Sequence, residues 1–253
     1  MFKADDGKYK LTDLYRRWAK EEGLDLPQII GTDLGLNSKS KHFKINSQKF
    51  LVSELLKYYK VPCIKNFLLD DDLTIATMQA ERYFDNYKGE IVIRGNRGAG
   101  GFETFFPDKK SQLKMMISTL HHHPKGRISA LVSPRVKPGE EISVFVLNGK
   151  IEMSICKEYN DATKTNNLST GSSARPVYDG QLIEKLQKIV DNVMEIIPFV
   201  FARFDFLLDG EYKVLELSVP NYKSFALQNA ECEHLGKILF LKAYKLAFNE
   251  LSR

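Results

Sequence analysis

Leu11, Leu14, Tyr15 and Trp18 recur at helical spacing, and Gly23 follows where a helix end favours a residue that tolerates positive φ. This predicts an amphipathic helix with one apolar face. A polar stretch rich in Lys, Ser and Asn, residues 37–46, separates it from a second apolar set at Phe50, Leu51, Leu55 and Leu56. Ser47 stands just ahead of that set, where a hydroxyl can accept a bond from an unpaired helical N–H, so it is the expected N-cap. Val61-Pro62 ends the second helix, because proline lacks the N–H and biases the residue before it towards extended backbone. A third helix fits Thr74 to Tyr87.

From Lys88 the period shortens. Glu90 to Arg94 reads as a strand, a glycine-rich turn follows, and Glu103 to Phe106 reads as its antiparallel partner. Pro107-Asp108 is expected to open a helix through Leu120, and Ile128 to Ser133 returns as a strand. Residues 89–133 therefore form a small lobe, after a short N-terminal segment over 1–46 and a helical connection over 47–88. Alternation in Glu141 to Val146 and in Lys150 to Cys156, split by Asn148-Gly149, is a strong hairpin signal because both turn residues tolerate positive φ. The stretch 158–173 is nearly devoid of apolar residues and reads as a loop. Asp179 is placed to cap a helix through Ile196; Phe199 to Leu208 and Tyr212 to Ser218 read as strands joined by Asp209-Gly210; a last helix spans about Glu231 to Leu251. Residues 134–253 make a larger lobe. Strands and helices are segregated rather than alternating, which gives an α+β class of two lobes.

Composition narrows the function classes. At 253 residues, 43% hydrophobic and 27% charged, the chain can bury a sizeable core and is neither a disordered nor a membrane sequence. No apolar run reaches the ~18 residues of a membrane span. The opening Met1 to Asp6 is charged where a secretory signal is apolar, so a cytoplasmic location is expected. Cys63, Cys156 and Cys232 lack paired spacing and are expected as free thiols. The net charge of +5 admits a basic nucleic-acid-binding protein, but Lys and Arg are dispersed along the chain, and a polyphosphate cleft also needs surplus cations. His121-His122-His123 is expected in a surface loop, since three consecutive side chains converge poorly on one ion, and Met115-Met116 is expected as core filling.

The segment with the most chemical content is Ala202 to Pro220. On two antiparallel strands joined by a tight turn, Asp205 and Glu216 can share one face, with Arg203 beside them on the same face. Two hard carboxylates set that way suit Mg²⁺, which takes one or two carboxylates and leaves its other positions to phosphate oxygens and water. Arg203 stays cationic and can stabilise charge developing on a reacting oxygen. Taken alone, the same three residues read equally as a structural ion pair on a hairpin. The turn Arg94-Gly95-Asn96-Arg97-Gly98-Ala99-Gly100-Gly101 can bring backbone N–H groups to phosphate oxygens, yet it carries neither Walker spacing nor a dinucleotide fingerprint, so an ordinary turn stands beside that reading.

Arg203-Phe204-Asp205-Phe206, a turn, and then Leu215-Glu216-Leu217-Ser218-Val219-Pro220 resemble the magnesium-binding end of the ATP-grasp superfamily, which includes the D-alanine–D-alanine ligases. The resemblance covers roughly Ser47 to Leu251. It implies two α+β lobes with ATP and Mg²⁺ between them. Pro138-Gly139-Glu140-Glu141 is similar to the strand after the adenine hinge, which implies that Glu141 holds the ribose hydroxyls. Asn166 to Gly171 is similar to a segment of the ribosomal-protein glutamate ligases and cyanophycin synthetases, which implies that Asn167 and Lys157 face phosphates and metal. The glycine turn then matches a phosphate-covering loop, through Gly98, Ala99, Gly100 and Gly101. Lys49 and Arg94 fall at nucleotide-binding positions, Arg94 where the family usually has lysine. Ser218 falls where the family has a metal-ligating asparagine, and a serine hydroxyl is a shorter, weaker donor. The implied activity is an ATP-dependent ligase that activates a carboxylate as an acyl phosphate for attack by an amine of an amino acid or peptide. Ser218 keeps open an ATP-binding module or pseudoenzyme instead. The 46 residues ahead of the match are too few for the family's usual second-substrate domain, so either the substrate site is reduced or a second copy or partner protein completes it.

Overall fold

The computed structural model describes residues 11–24, 36, 48–97, 103–124, 126–136, 139–162, 164–166, 168, 171–218 and 228–249. Helix α1 (Leu11–Glu21) ends as its sequence predicts: Gly23 has φ +66°, Gly23 N–H donates to Lys20 O and Leu24 N–H to Ala19 O. Those two bonds satisfy carbonyls that the last turn leaves open, in the Schellman pattern. Helix α2 (Lys49–Tyr58) starts after Gln48, whose side chain does not cap it, and Ser47 lies outside the described residues. Its buried face is also not the expected one. Val52 and Leu56 are buried and Leu55 partly so, while Leu51 is 43% exposed, because the helix leans on the larger sheet through the Val52–Leu56 edge.

Four strands form the smaller sheet, in the order β1 (Phe67–Leu68), β4 (Ala130–Pro134), β2 (Ile91–Gly95), β3 (Thr104–Phe105), all neighbours antiparallel. Helices α3 (Leu73–Asn86) and α4 (Leu113–His121) cover one face, with Ala76, Ala80, Leu113, Ile117 and Leu120 packed on Ile91, Ile93, Ala130 and Val132. Asp72 caps α3 by accepting from Thr74 and Ile75 N–H. The helix expected from Pro107-Asp108 begins later: a 3-10 turn at Lys110–Gln112 precedes α4, with Gln112 folding back onto the N–H groups of Asp108 and Lys109. His121 closes α4 and is nearly buried rather than looped out, and Met115 is 64% exposed while Met116 packs on the core.

The larger sheet has five antiparallel strands in the order β7 (Ala174–Pro176), β6 (Lys150–Lys157), β5 (Glu141–Leu147), β8 (Phe201–Asp209), β9 (Glu211–Ser218). Alternation along each strand splits the sheet into two chemically different faces. One carries Ile142, Val144, Val146, Ala202, Phe204 and Phe206, buried under α5 (Gly180–Ile196) and α2. On the other, Phe145, Leu147, Met153, Ile155 and Phe201 are covered by α1 and α6 (Ala230–Asn249), with Tyr15 stacked on Phe240 and Trp18 packed against both rings at a tilt. That cover stops short, and the rest of the face is polar. The edge of β9 is closed by the chain before β1, where Ile64 N–H donates to Val214 O and Val214 N–H to Pro62 O. Among the described residues no helix is long and apolar enough to cross a membrane, and all three cysteines are free.

Candidate active site

The polar part of the second face is built by register. Asp205 pairs directly with Glu216 on β9 and with Ser143 on β5, Arg203 pairs with Ser218, and Glu141 pairs with Lys157. Direct cross-strand partners share a face with Cβ atoms about 5 Å apart, so Arg203, Asp205, Glu216 and Ser218 form one polar patch. The acids therefore meet as their sequence predicts. A bulge brings this about: Leu215 is an extra residue on β9, so that Phe206 pairs with Val214 while Glu216, not Leu215, stands opposite Asp205. Bulges bend a strand and re-aim its side chains, and they gather at functional sites.

Asp205 is 3% exposed and accepts from Arg203 Nη2 at 2.8 Å, from Lys157 Nζ at 3.2 Å, and from Ser143 Oγ. Burial alone would raise its pKa, but Arg203, Lys157 and the Ser143 bond outweigh it and hold the carboxyl down at about 2. Lys157 also donates to Glu141. Burial weakens the Lys157 ammonium, and Asp205 with Glu141 more than restores it, so it stays cationic with its pKa raised. Glu141 moves upwards, burial outweighing its bond to Lys157.

Glu216 is the more open acid, with a quarter of its side chain exposed (25%) and Lys49 Nζ at 3.9 Å. Lys49 comes from the N-terminus of α2, and burial lowers its pKa against the pull of Glu216. Arg94, from the end of β2 on the smaller sheet, donates to Asn66 Oδ1 at 2.6 Å and is buried; burial lowers its pKa, opposed by Glu216 and Glu141. Cations from two elements outside the larger sheet's strands, α2 and β2, thus act on the more open carboxylate.

The chemistry of the donor set accords with Mg²⁺. Among the described residues no group of three or more His, Cys, Asp or Glu side chains is placed to hold a metal ion by itself; the patch offers the carboxylates of Asp205 and Glu216, paired across β8 and β9. Ser218 Oγ is buried without a hydrogen-bond partner there, as are the Nε atoms of Arg203 and Arg94. An unpartnered buried oxygen beside two carboxylates fits a hard ion, which needs oxygen ligands and tolerates water in its remaining positions.

Gly95 is required at the mouth of the glycine turn, since an added Cβ would lie 2.8 Å from Arg97 O and 2.9 Å from Ile128 Cγ2. Gly98, Ala99, Gly100, Gly101 and Asn167 lie outside the described residues. Its neighbour Asn166 donates to Lys157 O at 3.0 Å and to Gly139 O at 2.8 Å, pinning that loop to the strand ends that carry Lys157 and Glu141. Three polar residues escaped the sequence reading: Ser143, Asn66 and Asn96. The alternation from Glu141 onwards placed Ser143 on the Glu141 side; nothing local marks Asn66 or Asn96.

No protein-family model matches the chain, and no curated protein matches its sequence. Solved structures share its architecture, and the fold is the ATP-grasp fold. A D-alanine–D-alanine ligase from Bacillus anthracis superimposes with a TM-score of 0.59 at 18% identity, over 83% of this chain and 72% of that one. The ATP-grasp ligase PsnB, complexed with a phosphomimetic variant of its minimal precursor, Mg and ADP, gives 0.57 at 13% identity, over 93% and 67%. The D-cycloserine synthetase DcsG gives 0.55 at 14%, over 94% and 87%.

Proposed function

We propose that the chain is an ATP-dependent carboxylate–amine ligase. The γ-phosphoryl group of ATP passes to a substrate carboxylate as the bond to ADP breaks; an amine then attacks the acyl phosphate, loses a proton and expels phosphate to leave an amide. The observation that carries this is the cross-strand pairing of Asp205 with Glu216 and of Arg203 with Ser218, on a face that Lys49 and Arg94 reach from outside the sheet. A similar structure, PsnB, was solved with Mg and ADP.

Asp205, Glu216 and Ser218 would hold Mg²⁺, which supplies charge neutralisation on the phosphates. Arg203 stabilises charge on the reacting oxygens, Lys49, Arg94 and Lys157 bind phosphate, and Glu141 accepts from ribose hydroxyls. Gly98 to Gly101 and Asn167 complete the nucleotide contacts. Phosphoryl transfer needs alignment and charge compensation rather than a protein nucleophile, and this set of side chains contains cations and hard oxygens but no activated thiol. Amino acids or peptides are the substrate class.

The test is ADP release screened over amino acids, peptides and polyamines, with the product identified by mass. Glu216→Ala should cut turnover by about a hundredfold or more, given that losing even an outer-shell metal contact costs about 10–100-fold. Wild-type turnover by Glu216→Ala overturns the site. MgATP binding with no ADP release in any mixture would instead make the chain a nucleotide-binding module.

A further inference from the structure

Helix α2 belongs to the larger sheet by its packing but is capped by the smaller one. Its body is buried against the second sheet through Val52 and Leu56, in the cluster that contains Phe206 and Val214. Its first turn has unpaired N–H groups, as every helix does, and Gln48, at the cap position, makes no side-chain bond to them. Asn96, forty-seven positions further along than Lys49 and just beyond the end of β2, fills that gap: its backbone carbonyl accepts from Lys49 N–H at 3.1 Å and its Oδ1 from Phe50 N–H at 3.0 Å. Asn96 is itself held by its own N–H, which donates to Ser129 O at 2.8 Å, and is 9% exposed.

The side-chain bond is the one an N-cap asparagine makes to its own helix, made here from another element. Its consequence is positional. Lys49 is the first residue of α2, and its Nζ stands 3.9 Å from Glu216 on β9. One asparagine therefore ties together the end of the β2 strand, the start of α2 and the cation facing the more open acid of the site. Arg94, two residues before Asn96, makes a second buried tie to Asn66.

We propose that Asn96 is a positioning residue that caps α2 from the smaller sheet and so sets Lys49 for nucleotide phosphate. The role at phosphate rests on the ligase reading above; the cap does not. Two measurements separate them. Amide hydrogen exchange on the ligand-free protein should show Phe50 exchanging about fivefold faster in Asn96→Ala, the factor expected for a lost cap, with protection restored in Asn96→Asp, which keeps the acceptor. Wild-type exchange in Asn96→Ala overturns the cap. MgATP titrations of wild type, Asn96→Ala, Lys49→Ala and the double variant then form a cycle. Asn96→Ala should weaken binding about fivefold in the wild-type background and not at all in Lys49→Ala. Equal losses in both backgrounds overturn action through Lys49. Failure of wild type to bind MgATP sinks the ligase reading and the phosphate role with it, while the exchange result still decides the cap.

Discussion

At Asp205, burial and charge pairing pull in opposite directions, and pairing wins. Its folded pKa of about 2 lies below its ordinary 3.8, so the folded state holds the ionised form more strongly than the unfolded chain does. The stabilisation is then complete above the ordinary value and is lost as pH falls through about 4 towards 2. Acid titration followed by far-UV circular dichroism should show stability falling over that window, and Asp205→Asn should flatten the fall while the exposed-site change Glu211→Gln leaves it intact. An unchanged slope in Asp205→Asn would refute the pairing. Arg203 and Asp205 were legible as neighbours on one face because strand periodicity alone puts them there, whereas Glu216 joins that face only because the bulge at Leu215 shifts the register. Asn96 and Asn66 were not, since their partners lie in other elements and no sequence interval encodes the contact.

Among elements, the strongest local signals gave the sharpest boundaries. Asp179 stands ahead of α5 and accepts from Gln181 and Leu182 N–H at 2.9 and 3.1 Å, as the sequence predicts. Asp179→Ala should cost about 1 kcal/mol in urea denaturation and Asp179→Ser much less, because serine keeps an accepting oxygen. Equal losses for both would remove capping as the cause. The Asn148-Gly149 turn likewise forms with φ of +51° and +77°, the backbone that a right-twisted hairpin demands. Strands β1 and β7, with two and three residues, escaped because so few positions show no period. The buried face of α2 was misjudged because Phe50, Leu51, Leu55 and Leu56 offer a wide apolar arc, and packing chose one side of it.

Across the whole molecule, α1 is fastened to the larger sheet and α6. Arg17 pairs with Glu233, and Lys237 lies 2.9 Å from Glu21 and 2.7 Å from Glu22. Trp18 is the sole tryptophan of the chain and is fully buried among Tyr15, Phe240 and the sheet. Its emission should therefore be blue-shifted in the native protein and move red at the same denaturant concentration as the loss of circular dichroism, since coincident probes mark one cooperative unit. A red shift well before the main transition would show α1 leaving independently.

Helices, strands and turns can be read from residue order because each depends on neighbours within a few positions, through periods of 3.6 and 2 and through turn chemistry, whereas the facing of the two acids was settled by a bulge at Leu215 that no period announces. The pairing of β5 with β8, the trimming of apolar cover so that half of one sheet face stays polar, and the capping of α2 from a distant strand depend on which surfaces bury each other. That choice is made by packing among segments far apart in the chain, and no local pattern carries it.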